Sequence, residues 1–103
     1  LNPLQEAVQP EGDTQFGGLA KKIGAVARAL GTPVILKEVG AGLSREDVKL
    51  ALPHGITHFD VAGTGGTSWS RIEHHRQSGA RRNELGLLFQ DWGLPTPRAL
   101  WEL

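Results

Sequence analysis

No cysteine occurs among the 103 residues, which removes disulfide staples, thiolate metal sites and a cysteine nucleophile together; that fits a reducing compartment. Charge of one sign is not in excess either. Eleven Lys and Arg balance eleven Asp and Glu, so the basic surplus that anchors nucleic acid or anionic membrane is missing, and any positive site must be local. No apolar run approaches the roughly 18 residues that argue for a membrane span, and the first residues lack the basic-then-apolar layout of a secretory signal. There is no methionine, at position 1 or elsewhere; with the missing targeting signal, this leads us to expect a segment of a longer chain. What is present is ordinary for a globular protein, with 39% hydrophobic and 21% charged residues, and general disorder is not expected.

The apolar pattern alternates between helix and strand periods. Phe16, Leu19, Ile23, Val26 and Leu30 fall near helical spacing, with Lys21, Lys22 and Arg28 left for a wet face, and Gly31 supplies a stop. In PVILKEV, Val34, Ile35 and Leu36 form a short run apolar on both faces, as in a buried parallel strand, ending in Lys37 and Glu38. Ser44 followed by Asp47 reads as a capping box opening a short helix through Val48, Ala51 and Leu52, closed by Pro53 and Gly55. A second strand, HFDVA, spans 58–62. GTGGTSW leads into a helix from about Ser68 to Gln77, SGARRN breaks it, and an apolar stretch follows at Leu85, Leu87, Leu88, Phe89 and Trp92. Thr96 is read as an N-cap and Pro97 as a first helical residue.

Strands alternating with helices predict βαβ units and a parallel sheet. Two strands lie inside the chain, and a third is expected to end just before Leu1. So small a parallel sheet does not stand alone, whereas a barrel of eight units takes roughly 250 residues. We therefore expect an α/β fold: residues 1–103 as the central segment of a single (β/α)8 TIM barrel domain, about two to three β/α units long.

In such barrels the active site is built on loops after the C-terminal ends of strands. Lys37 and Glu38 close one strand and GTGGT the next; Asn2, Gln5 and Glu6 join the same rim if a strand precedes Leu1. Gly63, Gly65 and Gly66 free backbone N–H groups to turn toward an anion, Thr67 adds a hydroxyl, and the following helix adds its dipole. The stretch is neither GxGxxG nor a P-loop, and a plain glycine turn is the other reading. Lys37 is awkward to bury without an anion, such as a flavin phosphate; alternatively it is solvated or pairs with Glu38 or Asp60. Gln5 and Glu6 offer an amide for orientation and a carboxylate for a hard cation, or else a surface turn between Pro3, Pro10 and Gly12. Glu73 lies six residues past Thr67, where most glutamates are solvated. His74 and His75 point about 100° apart on a helix, make a poor metal pair and read as surface; His54 and His58 have no ligand spacing. There is no GxSxG elbow.

Taken together, LNPLQEAVQPEGD, PVILKEVGAGLSRED, FDVAGTGGTSWSRIE and WGLPT resemble consecutive motifs of the type 2 isopentenyl-diphosphate isomerases, in order and over nearly the whole chain. QEAVQPEGD sets this apart from other FMN barrels, such as hydroxy-acid oxidases and IMP-dehydrogenase-like proteins, which share strand-end lysines and glycine loops. The resemblance implies a (β/α)8 barrel that binds FMN and Mg²⁺, needs its flavin reduced by NAD(P)H, and interconverts isopentenyl and dimethylallyl diphosphates in isoprenoid biosynthesis. It implies that Asn2 and Gln5 contact substrate, that Glu6 holds Mg²⁺, and that Lys37, Thr67, Gly65, Gly66 and the backbone at Ala62, where some relatives carry Ser, bind FMN. Gln5 and Glu73 are implied in proton transfer. Members carry a His immediately before the LN pair, so the chain is expected to begin one residue after it. The expected partners are a small-molecule diphosphate and further copies of the chain, with no nucleic acid and no membrane, in the cytoplasm. A non-catalytic barrel fragment is the alternative, motivated by the missing strands.

Overall fold

Two short parallel strands and six helices form an α/β unit in a computed structural model that describes residues 1–78 and 83–103. In chain order they are α1 (Pro3–Val8), α2 (Leu19–Leu30), β1 (Ile35–Lys37), α3 (Arg45–Ala51), β2 (His58–Asp60), α4 (Trp69–Arg76), α5 (Leu85–Leu88) and α6 (Thr96–Glu102), with a 3-10 turn at Leu52–His54 after α3. β1 and β2 pair in register Ile35 with His58, Leu36 with Phe59 and Lys37 with Asp60, joined through α3 as a βαβ unit requires. The SGARRN break falls largely outside the described residues, as do Arg81 and Arg82.

α3 starts where the capping box placed it. The Ser44 side chain accepts from the Asp47 N–H while the Asp47 carboxylate accepts from the Ser44 N–H, so two orphan donors of the first turn are satisfied reciprocally. α2 ends at Gly31 in the left-handed conformation, φ 61°, as its sequence predicts. Its buried stripe differs from the expected one. Val26 and Leu30 are exposed, and Gly24, Ile23 and their neighbours Ala20 and Ala27 face inward. Small residues let α2 approach the 3-10 turn closely, and Arg28 donates to the His54 carbonyl at 3.4 Å; close backbone approach outweighed side-chain hydrophobicity. The resulting core is small: Leu36, Ala51 and Ile56, with Ile23 and Phe59 packed against them.

Three further expectations are revised. β1 buries only Leu36, and Ile35 is 62% exposed, so one face of a strand composed for burial on both lies uncovered. Pro95 rather than Thr96 is the N-cap of α6, and Pro97 is its second residue. His74 is buried, its Nδ1 3.0 Å from the Asn83 carbonyl oxygen, while His75 is exposed as read. α1 is an addition: Asn2-Pro3 is an N-cap residue followed by proline at the first helical position, a start signal that the surrounding prolines obscured. The Leu1 amine donates to the Lys37 carbonyl. Because alternate strand residues turn their polar groups to opposite sides and the Glu38 N–H points to β2, Leu1 sits at the edge of β1 that β2 does not use.

Candidate functional site

The first turn of α1 organises the polar half of the site. Asn2 lies three and four residues before Gln5 and Glu6, the spacing at which helical side chains meet, and its amide donates to Glu6 Oε1 at 2.9 Å and to Gln5 Oε1 at 3.4 Å. Glu6 Oε2 accepts from Gln9 Nε2 at 2.6 Å and from the Asp13 N–H at 2.8 Å. Segment 9–13 can wrap the carboxylate this tightly because Gly12 has no side chain: a Cβ there would fall 1.6 Å from the Glu6 carbonyl oxygen.

α4 supplies the opposing wall. Ser68 caps it, its hydroxyl accepting from the Arg71 N–H, and its buried side carries Ser70, Glu73 and His74. Ser70 donates to the Gly86 carbonyl at 2.8 Å, which fastens α4 to α5. Glu73, expected to be solvated on its local sequence, is 1% exposed. A carboxylate so buried needs hydrogen bonds and a counter-charge, and it has both: Gln5 Nε2 donates to Oε1 at 2.7 Å, and Arg76 donates to Oε1 and Oε2 at 2.8 and 3.0 Å. One residue further, Gln77 donates to the Val8 carbonyl at the end of α1. Gln9, Arg76 and Gln77 escaped sequence reasoning. The first two lie three residues beyond a carboxylate of interest, and that spacing was the available signal.

The two strand-end loops differ. After β1, the Glu38 carboxylate turns back into its own loop, and Oε2 accepts from the N–H groups of Val39, Gly40, Ala41 and Gly42 at 2.7, 2.8, 2.6 and 3.3 Å. After β2, Ala62 has φ 36°, uncommon for a residue with a side chain, and its N–H is held by Asp60 Oδ1 at 3.1 Å. The loop is then sewn to the segment before α6 by the Thr64 N–H to the Leu94 carbonyl at 2.8 Å, leaving Gly65, Gly66 and Thr67 exposed. These three residues, with Gln5, Glu38 and Arg71, line a cavity of about 280 Å³.

Of the residues singled out, the structure thus links Asn2, Gln5, Glu6 and Glu73 in one hydrogen-bonded chain. It gathers Gln5, Gly65, Gly66 and Thr67 around one cavity, and Gln5 belongs to both groups. Lys37 and Ala62 lie at the same strand ends but do not line that cavity. Lys37 is half exposed and bonds Asp60 Oδ2 at 2.8 Å, the ion-pair reading of its sequence context; the Lys37 ammonium holds the Asp60 carboxyl below its ordinary value of 3.8.

The residues suit the implied groups in distinct ways. A Cβ on Gly65 would come no closer than 3.9 Å to anything, and one on Gly66 would meet nothing within 4 Å, so this backbone face is open to an anion, whereas Glu38 already fills the nest after β1. An exposed ion pair contributes little stability, so Lys37 can exchange Asp60 for a phosphate. Among the described residues Glu6 Oε1 accepts a single hydrogen bond, which leaves a lone pair that a cation could use. Among the described residues no group of three His, Cys, Asp or Glu could hold a metal; a single carboxylate such as Glu6 suits a hard cation that also takes substrate oxygens and water. Among them, too, no helix is long and apolar enough to cross a membrane.

The class defined so far is an α/β unit of parallel strands whose tips present one exposed glycine loop beside a carboxylate and amide network. Comparison with known proteins narrows it. No family model matches the chain. It is 61% identical over 100 residues to an isopentenyl-diphosphate delta-isomerase of Hydrogenovibrio crunogenus, covering 97% of this chain and 29% of that protein. It is 63% identical over 102 residues to the isopentenyl-diphosphate delta-isomerase of Paracoccus zeaxanthinifaciens, with 99% and 29% covered. With the enzyme of that name from Pyrococcus abyssi it shares 42% identity over 103 residues, 100% of this chain and 28% of that protein. The chain therefore spans less than a third of the length of the curated relatives it matches.

Proposed function

We propose that this chain forms part of the active site of a type 2, flavin-dependent isopentenyl-diphosphate isomerase, interconverting isopentenyl and dimethylallyl diphosphates with FMN, Mg²⁺ and NAD(P)H as reductant. One observation carries the reading: Gln5 joins the part-buried Asn2–Glu73 network to the glycine-lined cavity after β2. Relatives named for this reaction, similar over almost the whole chain, support it.

In this reading Gly65, Gly66 and Thr67 hold the flavin, with Lys37 and the strained backbone at Ala62 at its margin. Glu6 presents its free lone pair to Mg²⁺ beside the diphosphate, neutralising charge where the substrate is anchored. Asn2 and Gln5 orient the substrate. Glu73 keeps the Gln5 amide in place and lies one hydrogen bond from any proton moved at that amide. Bound and reduced, the flavin supplies an electron-rich face that stabilises positive charge developing as the alkene takes up a proton.

The same reading makes residues 1–103 the central segment of a (β/α)8 barrel in a cytoplasmic homo-oligomer. The uncovered face of β1 at Ile35 supports a further layer. The test is turnover by the full-length protein. Conversion of isopentenyl diphosphate is expected only with FMN, reductant and Mg²⁺ together; undiminished activity after flavin removal rejects the reading. Residues 1–103 by themselves are expected to be inactive.

A further inference from the structure

The polar chain through α1 and α4 ends on a residue to which none of these roles has been given. Arg76 donates from one guanidinium nitrogen to both oxygens of Glu73, three residues earlier on α4. Its own side chain is 67% exposed while that of Glu73 is 1% exposed. On the other side of the carboxylate stands Gln5, whose Nε2 donates to Glu73 Oε1 at 2.7 Å and whose Oε1 accepts from Asn2 at 3.4 Å. A carboxylate flanked by a guanidinium accepts hydrogen bonds and donates none. The amide that meets it must therefore present its nitrogen to Glu73 and its oxygen to Asn2. One Gln5 N–H is spent on Glu73; the second has no acceptor among the described residues, and Gln5 lines the cavity.

We propose that Arg76 is a positioning residue: by holding both carboxylate oxygens of Glu73, it fixes the acceptor that the Gln5 amide meets and so the direction in which that amide lies beside the cavity. Removing the guanidinium takes away both of these hydrogen bonds and leaves the carboxylate free to rotate about its side-chain bonds. The Gln5 amide then loses the fixed partner that sets its nitrogen toward Glu73 and its oxygen toward Asn2. The consequence for rate rests on the isomerase reading; the direction of the amide does not.

The experiment uses full-length protein with ¹⁵N-labelled glutamine, the Gln5 side-chain resonances being assigned by their loss in Gln5→Met. In Arg76→Met these resonances are expected to move, and in Arg76→Lys to stay near their original position. With isopentenyl diphosphate, kcat should fall on the order of 10- to 100-fold in Arg76→Met, the scale of a misplaced orienting group. KM should change less than about threefold, and Arg76→Lys should recover most of the rate, since an ammonium also donates hydrogen bonds to the Glu73 carboxylate. In a Glu73→Gln background, where the carboxylate that Arg76 holds is gone, Arg76→Met should add nothing further. This double variant also serves if Arg76→Met alone fails to fold. Unmoved Gln5 resonances in Arg76→Met, or the same rate loss on the Glu73→Gln background, would overturn the proposal. A wild-type protein inactive on isopentenyl diphosphate would instead remove the isomerase reading, and the resonances would still decide the role of Arg76.

Discussion

The loops after β1 and β2 begin alike, at the tips of paired parallel strands and in glycine-rich sequence, yet they treat their backbone amides in opposite ways. The first folds four consecutive N–H groups onto the Glu38 carboxylate, which is 4% exposed. The second exposes Gly65, Gly66 and Thr67 to a cavity, and among the described residues no side-chain carboxylate is bonded to their amides. Concave runs of backbone N–H groups attract anions; one of these loops binds a carboxylate of its own, and the other leaves Gly65, Gly66 and Thr67 exposed. Glycine content alone therefore does not mark a phosphate site. An internal acid at the strand tip turns the same composition into a structural plug.

The sharpest way to break this comparison is to remove the plug. Glu38→Ala leaves four amides facing a buried space, and losing one partner of such a charge-assisted cluster costs roughly 3–5 kcal/mol. Glu38→Gln should cost distinctly less, because its carbonyl oxygen still accepts. Chemical denaturation of the full-length protein measures both. A loss below about 1 kcal/mol for Glu38→Ala, within the range of ordinary surface changes, would mean that the carboxylate does not organise the loop.

Glu38 also shows where the sequence was legible. Local chemistry was: the Ser44 and Asp47 box, the Gly31 stop and the strand before GTGGT each depend on neighbours within four residues, and each stands where its signal lies. Charge placement was legible only in part, through the Lys37 and Asp60 pair. Glu38 and Lys37 read alike as strand-end groups, but one folds inward to bind its own loop while the other reaches across to Asp60. Glu73 read as solvated because nothing within α4 reveals that Gln5, 68 residues away, will cover it. The family resemblance gave Asn2, Gln5, Glu6 and Glu73 separate roles; the hydrogen bonds that join them were not legible in the sequence. α2 failed for a related reason: its wheel favours Val26 and Leu30, and only the approach of the 3-10 turn selects the small-residue side.

A medium-sized effect should sharpen the comparison from the other loop. Gly63→Ala places a Cβ 2.4 Å from the Leu94 carbonyl oxygen and 2.5 Å from the Thr96 nitrogen, an overlap of the kind that costs about 1–3 kcal/mol. Gly65→Ala meets nothing nearer than 3.9 Å, so stability should change by less than about 0.5 kcal/mol. If the open amides hold the flavin, FMN titration of the Gly65→Ala apoprotein should still show affinity lowered roughly tenfold, the 1.4 kcal/mol of a contact pushed out of reach. Unchanged FMN affinity would leave this loop an ordinary turn.

The smallest effect concerns Lys37, at the margin between the loops. Its hydrogen bond to Asp60 lowers the folded-state value of that carboxyl. The pair's stabilisation is therefore fully present above the ordinary aspartate value of 3.8 and is lost as pH falls through the lowered folded value. Lys37→Met should consequently lie slightly below the unmodified protein in stability at neutral pH, and the two should converge in acid. Both partners are about half exposed, so added salt should shrink the gap as well. If Lys37 meets a flavin phosphate, flavin retention should respond more than stability does, because an ammonium exchanged from Asp60 to a phosphate loses only a weak pair and gains a doubly charged one. Lys37→Met protein that keeps its flavin through dialysis as well as the unmodified protein would assign this lysine to Asp60 alone.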